Sequence, residues 1–171
     1  MSAIPDMIGF AVMTVSDSRD AKTDKTGPWL REQIAAEGHA VIDHAIVADD
    51  IGAIQNRLQA WIADPAIHAV IATGGTGLTG RDVTPEAFKP LYDKEMDGFS
   101  AVYHQVSFRS VGVSTIQSRA TAGIAGGTYL FAIPGSMGGC KDVWNHILKD
   151  EFDRTHRPCN LVDLIPRLTE R

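Results

Sequence analysis

Residues 8–15, Ile-Gly-Phe-Ala-Val-Met-Thr-Val, are nearly continuous in apolar character. A central strand buried on both faces reads this way. Residues 41–47 and 69–72 mark two further strands. Between the first and second strands, Leu30, Ile34 and Ala35 recur at helical spacing; between the second and third, Ile51, Ile54, Leu58, Trp61 and Ile62 do so. Gly27-Pro28 and Gly38 bound the first helix, and Asp49-Asp50 and Asp64-Pro65 the second. Strand, helix, strand, helix, strand predicts right-handed crossovers and a parallel sheet.

Further along, Met96, Phe99, Val102, Tyr103 and Val106 give another helix face, read as core or subunit contact, while residues 110–117 read as irregular and polar. Residues 119–124 and 128–133 are β-prone and flank Gly126-Gly127, a hairpin signal. The sheet is therefore predicted to be mixed. If residues 129–133 run parallel to residues 69–73, the antiparallel strand is 119–124. Cys140, Val143, Trp144, Ile147 and Leu148 form the last helical stripe, with Ser136 as its N-cap. The apolar end at residues 161–165 is expected to dock on the domain or on another subunit.

The densest chemistry lies just past the third strand, in Thr73-Gly74-Gly75-Thr76-Gly77-Leu78-Thr79-Gly80-Arg81-Asp82-Val83-Thr84-Pro85-Glu86. Glycine permits positive φ and close approach of a ligand to the main chain. Successive exposed N–H groups in such a turn suit anions, phosphate above all. Thr84-Pro85-Glu86 reads as a helix start, with Thr84 as N-cap and Pro85 first in the helix. Gly75 to Gly80 matches the dinucleotide pattern G-x-G-x-x-G, but Arg81-Asp82 intervenes before the helix and position 100 is Ser100 instead of an acid. Gly75 to Asp82 also resembles a P-loop, except that Arg81 and Asp82 replace its Lys and Ser/Thr. A carboxylate beside phosphates repels them unless a cation stands between. These residues favour a phosphate site with a divalent metal.

A second acid follows a strand in the same way. Asp49 and Asp82 would project from one sheet edge if their strands are parallel. Together with substrate phosphates they suit Mg²⁺, which takes one or two carboxylates. Asp50 is assigned the N-cap of the following helix. Ser16-Asp17-Ser18, beyond the first strand, are either site residues at the carboxyl edge or a polar turn. Ser136 offers either a cap alone or an anion site. Arg119 is read as a surface ion pair, with a phosphate contact as the alternative.

Length and charge narrow the classes. One domain spanning 1–171 has room for an adequate core. A formal net charge of −5 argues against a general nucleic-acid surface. No histidine pair has metal-ligand spacing. With no signal-like start and no long apolar run, the expected location is the cytoplasm, off the membrane, with Cys140 and Cys159 as free thiols.

The glycine stretch with Arg81-Asp82-Val83-Thr84-Pro85-Glu86 resembles the signature of the MoaB/MogA molybdenum-cofactor biosynthesis proteins. Thr14-Val15-Ser16-Asp17, residues 24–28, Met96-Asp97-Gly98-Phe99, Ser118-Arg119 and Pro134-Gly135-Ser136 support it in the right order. Thr155-His156-Arg157-Pro158-Cys159-Asn160 is similar to the MoaB branch. The resemblance implies a three-layer α/β/α sandwich around a mostly parallel, mixed sheet, assembled as trimers or hexamers. It implies binding of molybdopterin and ATP, Mg²⁺ as cofactor, and adenylyl transfer to the molybdopterin phosphate with release of pyrophosphate. Asp82 matches the family's essential acid and Asp49 its second one. Thr14, Ser16, Asp17, Gly74, Gly75, Thr76, Gly77, Arg81, Ser118, Gly135 and Ser136 fall on substrate-binding positions. Other molybdenum-cofactor biosynthesis proteins are implied as partners. Some MoaB-branch members lose the Arg-Asp-x-Thr signature and look inactive; here it is intact. A silent molybdopterin-binding scaffold is the second reading, and a nicotinamide oxidoreductase the third.

Overall fold

The computed structural model describes residues 4–170. Six strands form one sheet in the order β2-β1-β3-β6-β5-β4. β1 (Gly9–Val15) pairs in parallel with β2 (Ala40–Val47) and with β3 (Ala69–Thr73). β3 in turn pairs in parallel with β6 (Thr128–Ile133), the arrangement that makes 119–124 the antiparallel segment. β5 (Thr121–Ala125) and the two-residue β4 (Lys94–Glu95) are antiparallel.

Strand alternation builds two cores. Phe10, Val12, Ala69, Ile71, Tyr129 and Phe131 point to one face of the sheet. Ala11, Met13, Val70, Ala72, Leu130 and Ala132 point to the other. The first face is covered by α1 (Thr26–Ala36), α4 (Asp97–Val111) and α5 (Met137–Val143), through Leu30, Ile34, Phe99, Tyr103, Cys140 and Val143. The second is covered by α2 (Ile51–Ile62) and α3 (Thr84–Phe88), through Ile54, Leu58, Trp61, Ala87 and Phe88. Burial on both faces explains why the central strands read as unbroken apolar runs. β2 lies at an edge, and Ile42 and Ile46 on it are exposed.

Several local expectations change. α1 begins at Thr26, where Asp24 Oδ1 accepts from the Gly27 N–H at 3.2 Å. β4 was not foreseen, because two charged residues give no apolar signal. Residues 110–117 are ordered: α4 runs on to Val111, and a 3₁₀ helix, Gly112–Gln117, follows. The helix after Ser136 loosens into a π segment, Trp144–Leu148, and ends in α6 (Lys149–Glu151). The C-terminal segment docks on the first core, with Val162 buried and Tyr129 Oη donating to the Leu161 carbonyl at 3.0 Å. Cys140 and Cys159 are both free. Among the described residues, no helix is long and apolar enough to cross a membrane.

Candidate active site

The glycine turn, Asp49, Asp82 and Ser136 follow the carboxyl ends of parallel strands, the edge where an open α/β sheet binds ligands. Gly74 leaves β3 at φ +113° and Gly75 follows at +65°. The turn then folds back to α3. Thr84 holds it there, but not as an N-cap: Val83 is the cap residue, and the Thr84 hydroxyl donates to the Gly74 carbonyl at 2.8 Å. Thr84 is fully buried, so its hydroxyl meets this unpaired carbonyl sooner than its own helix.

The two aspartates flank the turn. A Cβ at Gly75 would sit 3.1 Å from Asp49 Oδ1, and a Cβ at Gly77 would sit 2.7 Å from Asp82 Oδ2. These glycines let two carboxylates approach the main chain. Asp82 Oδ2 accepts from the Thr79 N–H at 2.8 Å and the Thr79 hydroxyl at 2.7 Å. Partial burial opposes ionisation of Asp82, but these bonds, with a Gly77 amide and the Arg119 charge, outweigh it and hold the carboxyl below its usual range. Asp49 moves the other way: burial, then the negative charges of Asp17 and Asp82, push it up despite the bond from the Asp17 N–H.

The Asp17 and Asp49 loops clasp each other. Asp49 Oδ2 accepts from the Asp17 N–H at 3.0 Å, and Asp17 Oδ1 accepts from the Asp49 N–H at 3.0 Å. Arg81, largely exposed, forms an ion pair with Asp17. Asp50 caps α2, accepting from the Ala53 N–H at 2.8 Å, and Ser136 caps α5, accepting from the Gly139 N–H at 3.1 Å.

A 620 Å³ cleft opens beside the turn. Gly75, Thr76, Gly77, Asp82, Ser118, Gly135 and Ser136 line it. The other residues singled out in the sequence do not. Thr14 is buried, donating to Asp24 Oδ2 at 2.7 Å. Ser16 Oγ accepts from the Ser18 and Arg19 N–H groups, both at 3.2 Å, and so shapes its own turn. Gly74 packs beneath Gly135, whose Cβ position lies 3.0 Å from the Gly74 Cα. Asp17, Asp49 and Arg81 are not among the residues that line the cleft. Ser118 Oγ is buried at this wall without a hydrogen-bond partner among the described residues. Such an orphaned hydroxyl fits a ligand that supplies the partner.

Residues 11–154 match a family described as a probable molybdopterin binding domain. Over 150 residues the chain is 45% identical to molybdenum cofactor biosynthesis protein B of Escherichia coli K12, covering 88% of each protein. The chain belongs to the MoaB family. A crystal structure of a molybdenum cofactor biosynthesis protein B superposes with a TM-score of 0.87 at 33% identity, covering 98% of this chain and 99% of that one. Pyrococcus furiosus MoaB, described as a tungsten cofactor synthesizing protein, superposes at 0.73 with 34% identity, covering 86% of this chain and 93% of that one.

Sequence reasoning missed several features of this MoaB-family site. The far wall of the cleft comes from α4 and the 3₁₀ helix, through Tyr103, Ser107, Ser110, Thr115 and Gln117. Lys141 brings a cation to the cleft, and Ser110 Oγ donates to Asp142 Oδ1 at 3.0 Å, tying α4 to α5. Arg119 is paired with Glu86, as a surface ion pair would be, but it also bonds three main-chain carbonyls around the glycine turn. Its position immediately after Ser118, at the entry to a strand beside the turn, was the available signal.

Proposed function

We propose that this MoaB-family protein adenylylates molybdopterin in the cytoplasm, using Mg-ATP. An oxygen of the molybdopterin phosphate attacks the α-phosphorus of ATP. The bond from that phosphorus to the bridging oxygen of the β-phosphate breaks, and pyrophosphate leaves. The attacking phosphate is already ionised, so no general base is needed.

The observation that carries this reading is the pair of carboxylates flanking a glycine turn beside an open cleft. Asp49 and Asp82 are hard oxygen donors beside Gly75 and Gly77, and burial, with the charges of Asp17 and Asp82, pushes Asp49 up. A cation between them would relieve that repulsion. Among the described residues no three His, Cys, Asp or Glu side chains form a metal cage. Mg²⁺ takes only one or two carboxylates, because it completes its shell with water and substrate phosphates. When bound, Mg²⁺ neutralises the negative charge that gathers as the two phosphates meet. Asp82, held in place by Thr79, would hold the cation with Asp49. The turn amides would orient the polyphosphate, and the Ser118 hydroxyl would donate to the pterin substrate. The decisive assay is pyrophosphate release from Mg-ATP, dependent on molybdopterin.

One observation favours a silent binding scaffold instead. Asp49 does not line the cleft, and its Oδ2 is already committed to the Asp17 N–H. In that case molybdopterin binds and no pyrophosphate appears.

The same proposal includes assembly into a trimer or hexamer, and contact with other cofactor-biosynthesis proteins. Phe108, Val111, Val113 and Ile116 are 56%, 53%, 74% and 76% exposed at the end of α4 and on the 3₁₀ helix. An exposed apolar group of this kind marks an interaction surface. Phe108→Asp combined with Ile116→Asp is expected to yield monomers by light scattering. Retention of the wild-type mass would remove this face from the interface.

A further inference from the structure

The carbonyls of the glycine turn are gripped from the protein side. Thr84 takes Gly74 O through its hydroxyl at 2.8 Å and Gly75 O through its N–H at 3.0 Å. Arg119 takes the next ones. Its N–H donates to Thr76 O at 2.7 Å, Nε to Gly77 O at 2.7 Å, and Nη2 to Asp82 O at 2.7 Å. Nη1 is paired with Glu86. The guanidinium is thus spent on the protein itself, a third exposed, with its side chain fixed at every nitrogen.

A trans peptide is planar, with C=O and N–H on opposite sides. Holding the Thr76 and Gly77 carbonyls toward Arg119 turns the Gly77 and Leu78 N–H groups the other way. Holding the Asp82 carbonyl fixes the backbone from which the Asp82 carboxylate is aimed. The Arg119 side chain therefore sets the Leu78 amide and the backbone that aims the acid, while its main-chain N–H holds the peptide before Gly77.

We infer that Arg119 is a positioning residue for the reaction, acting through the glycine turn and Asp82 without touching the phosphates, with Glu86 holding its guanidinium in register. This inference rests on the adenylyl-transfer reading for its kinetics, but not for its geometry. It separates shape from charge. Lysine keeps the charge but is a point donor without the planar fork, so it cannot reach Gly77 O and Asp82 O together. A residue needed only for its charge would be replaced adequately by lysine.

Arg119→Lys and Arg119→Ala are expected to lower kcat about 100-fold, with KM for Mg-ATP within about threefold of wild type. Glu86→Gln is expected to lower kcat about tenfold, since it loosens the fork without removing it. Millimolar guanidinium is expected to restore part of the activity of Arg119→Ala and none of that of Arg119→Lys. Near-normal turnover in Arg119→Lys, or a raised KM at unchanged kcat, would overturn the inference, the second because it signals direct phosphate contact. A second measurement does not depend on turnover. In ¹⁵N NMR spectra of the free protein, the amides of residues 75–78 are expected to move in Arg119→Lys, and their response to magnesium pyrophosphate to weaken. Spectra identical to wild type at those amides would sink the inference even for an active enzyme. Displaced amides in a protein that never releases pyrophosphate would instead refute the catalytic reading and leave the positioning role intact.

Discussion

Asp82→Asn is expected to reduce molybdopterin-dependent pyrophosphate release by about 10²–10³-fold, the usual cost of removing one preorganised electrostatic group from a transition state. The substitution is nearly isosteric. An Asn carbonyl oxygen still accepts from the Thr79 N–H and hydroxyl, so the turn keeps its shape. What disappears is the negative charge, held ionised here by those same bonds against partial burial. Without it, one of the two anionic donors for Mg²⁺ is gone, and the cation that screens the converging phosphates is held poorly. Thermal stability should stay within a few degrees of wild type, which separates lost chemistry from lost fold. Turnover in Asp82→Asn equal to wild type would eliminate the assigned role. A wild type that binds molybdopterin yet releases no pyrophosphate would support the scaffold reading.

Gly74→Ala is expected to destabilise the protein by about 2–4 kcal/mol, because it combines backbone strain with an unrelievable clash. Gly74 sits at φ +113°, where an L side chain is strained. An added Cβ would overlap the Val15 carbonyl oxygen. That oxygen belongs to the end of β1, which is held between β2 and β3. Gly74 cannot retreat either: its N–H donates to Ile133 O at 3.0 Å, and Gly135 lies against its Cα. Gly80→Ala is the matched control from the same motif. Nothing lies within 4 Å of a Cβ there, and its φ is not positive. It should change stability by less than about 0.5 kcal/mol. Urea unfolding of both variants makes the comparison, and equal effects would contradict the asymmetry. The four glycines of the turn therefore serve different ends. Gly74 and Gly75 provide positive φ, Gly77 admits the Asp82 carboxylate, and Gly80 is open to change.

This division was invisible along the chain, where the glycines are identical letters. Much else was visible. Unbroken apolar runs identified the central strands, because strands covered on both faces leave no room for polar alternation. The Gly126-Gly127 hairpin signalled one antiparallel pair, and the parallel docking of β6 on β3 was the arrangement that would bring Ser136 to the glycine turn. Asp49, Asp82, Ser136 and the glycine turn were legible as parts of one edge, because strand polarity alone carries each of them to the carboxyl end. Asp50 was legible as a cap, because its role depends on residues within one helical turn.

Thr84 shows where such reasoning stops. By sequence it caps a helix; in the fold its hydroxyl goes to a carbonyl ten residues earlier, since burial leaves that carbonyl no solvent. Arg119 likewise looked like a surface charge, yet its fork closes on the carbonyls of Gly77 and Asp82 while its main-chain N–H takes that of Thr76. The cleft wall from α4 and the 3₁₀ helix, and the separation of Asp49 from that cleft, belong to the same group. Periodicity and short motifs report local preferences and strand direction, so they sufficed for the sheet, its helices and the edge that carries the chemistry. Which hydrogen bonds close across distant segments depends on three-dimensional packing and on which polar groups it strips of water, and this was decided only when the chain folded.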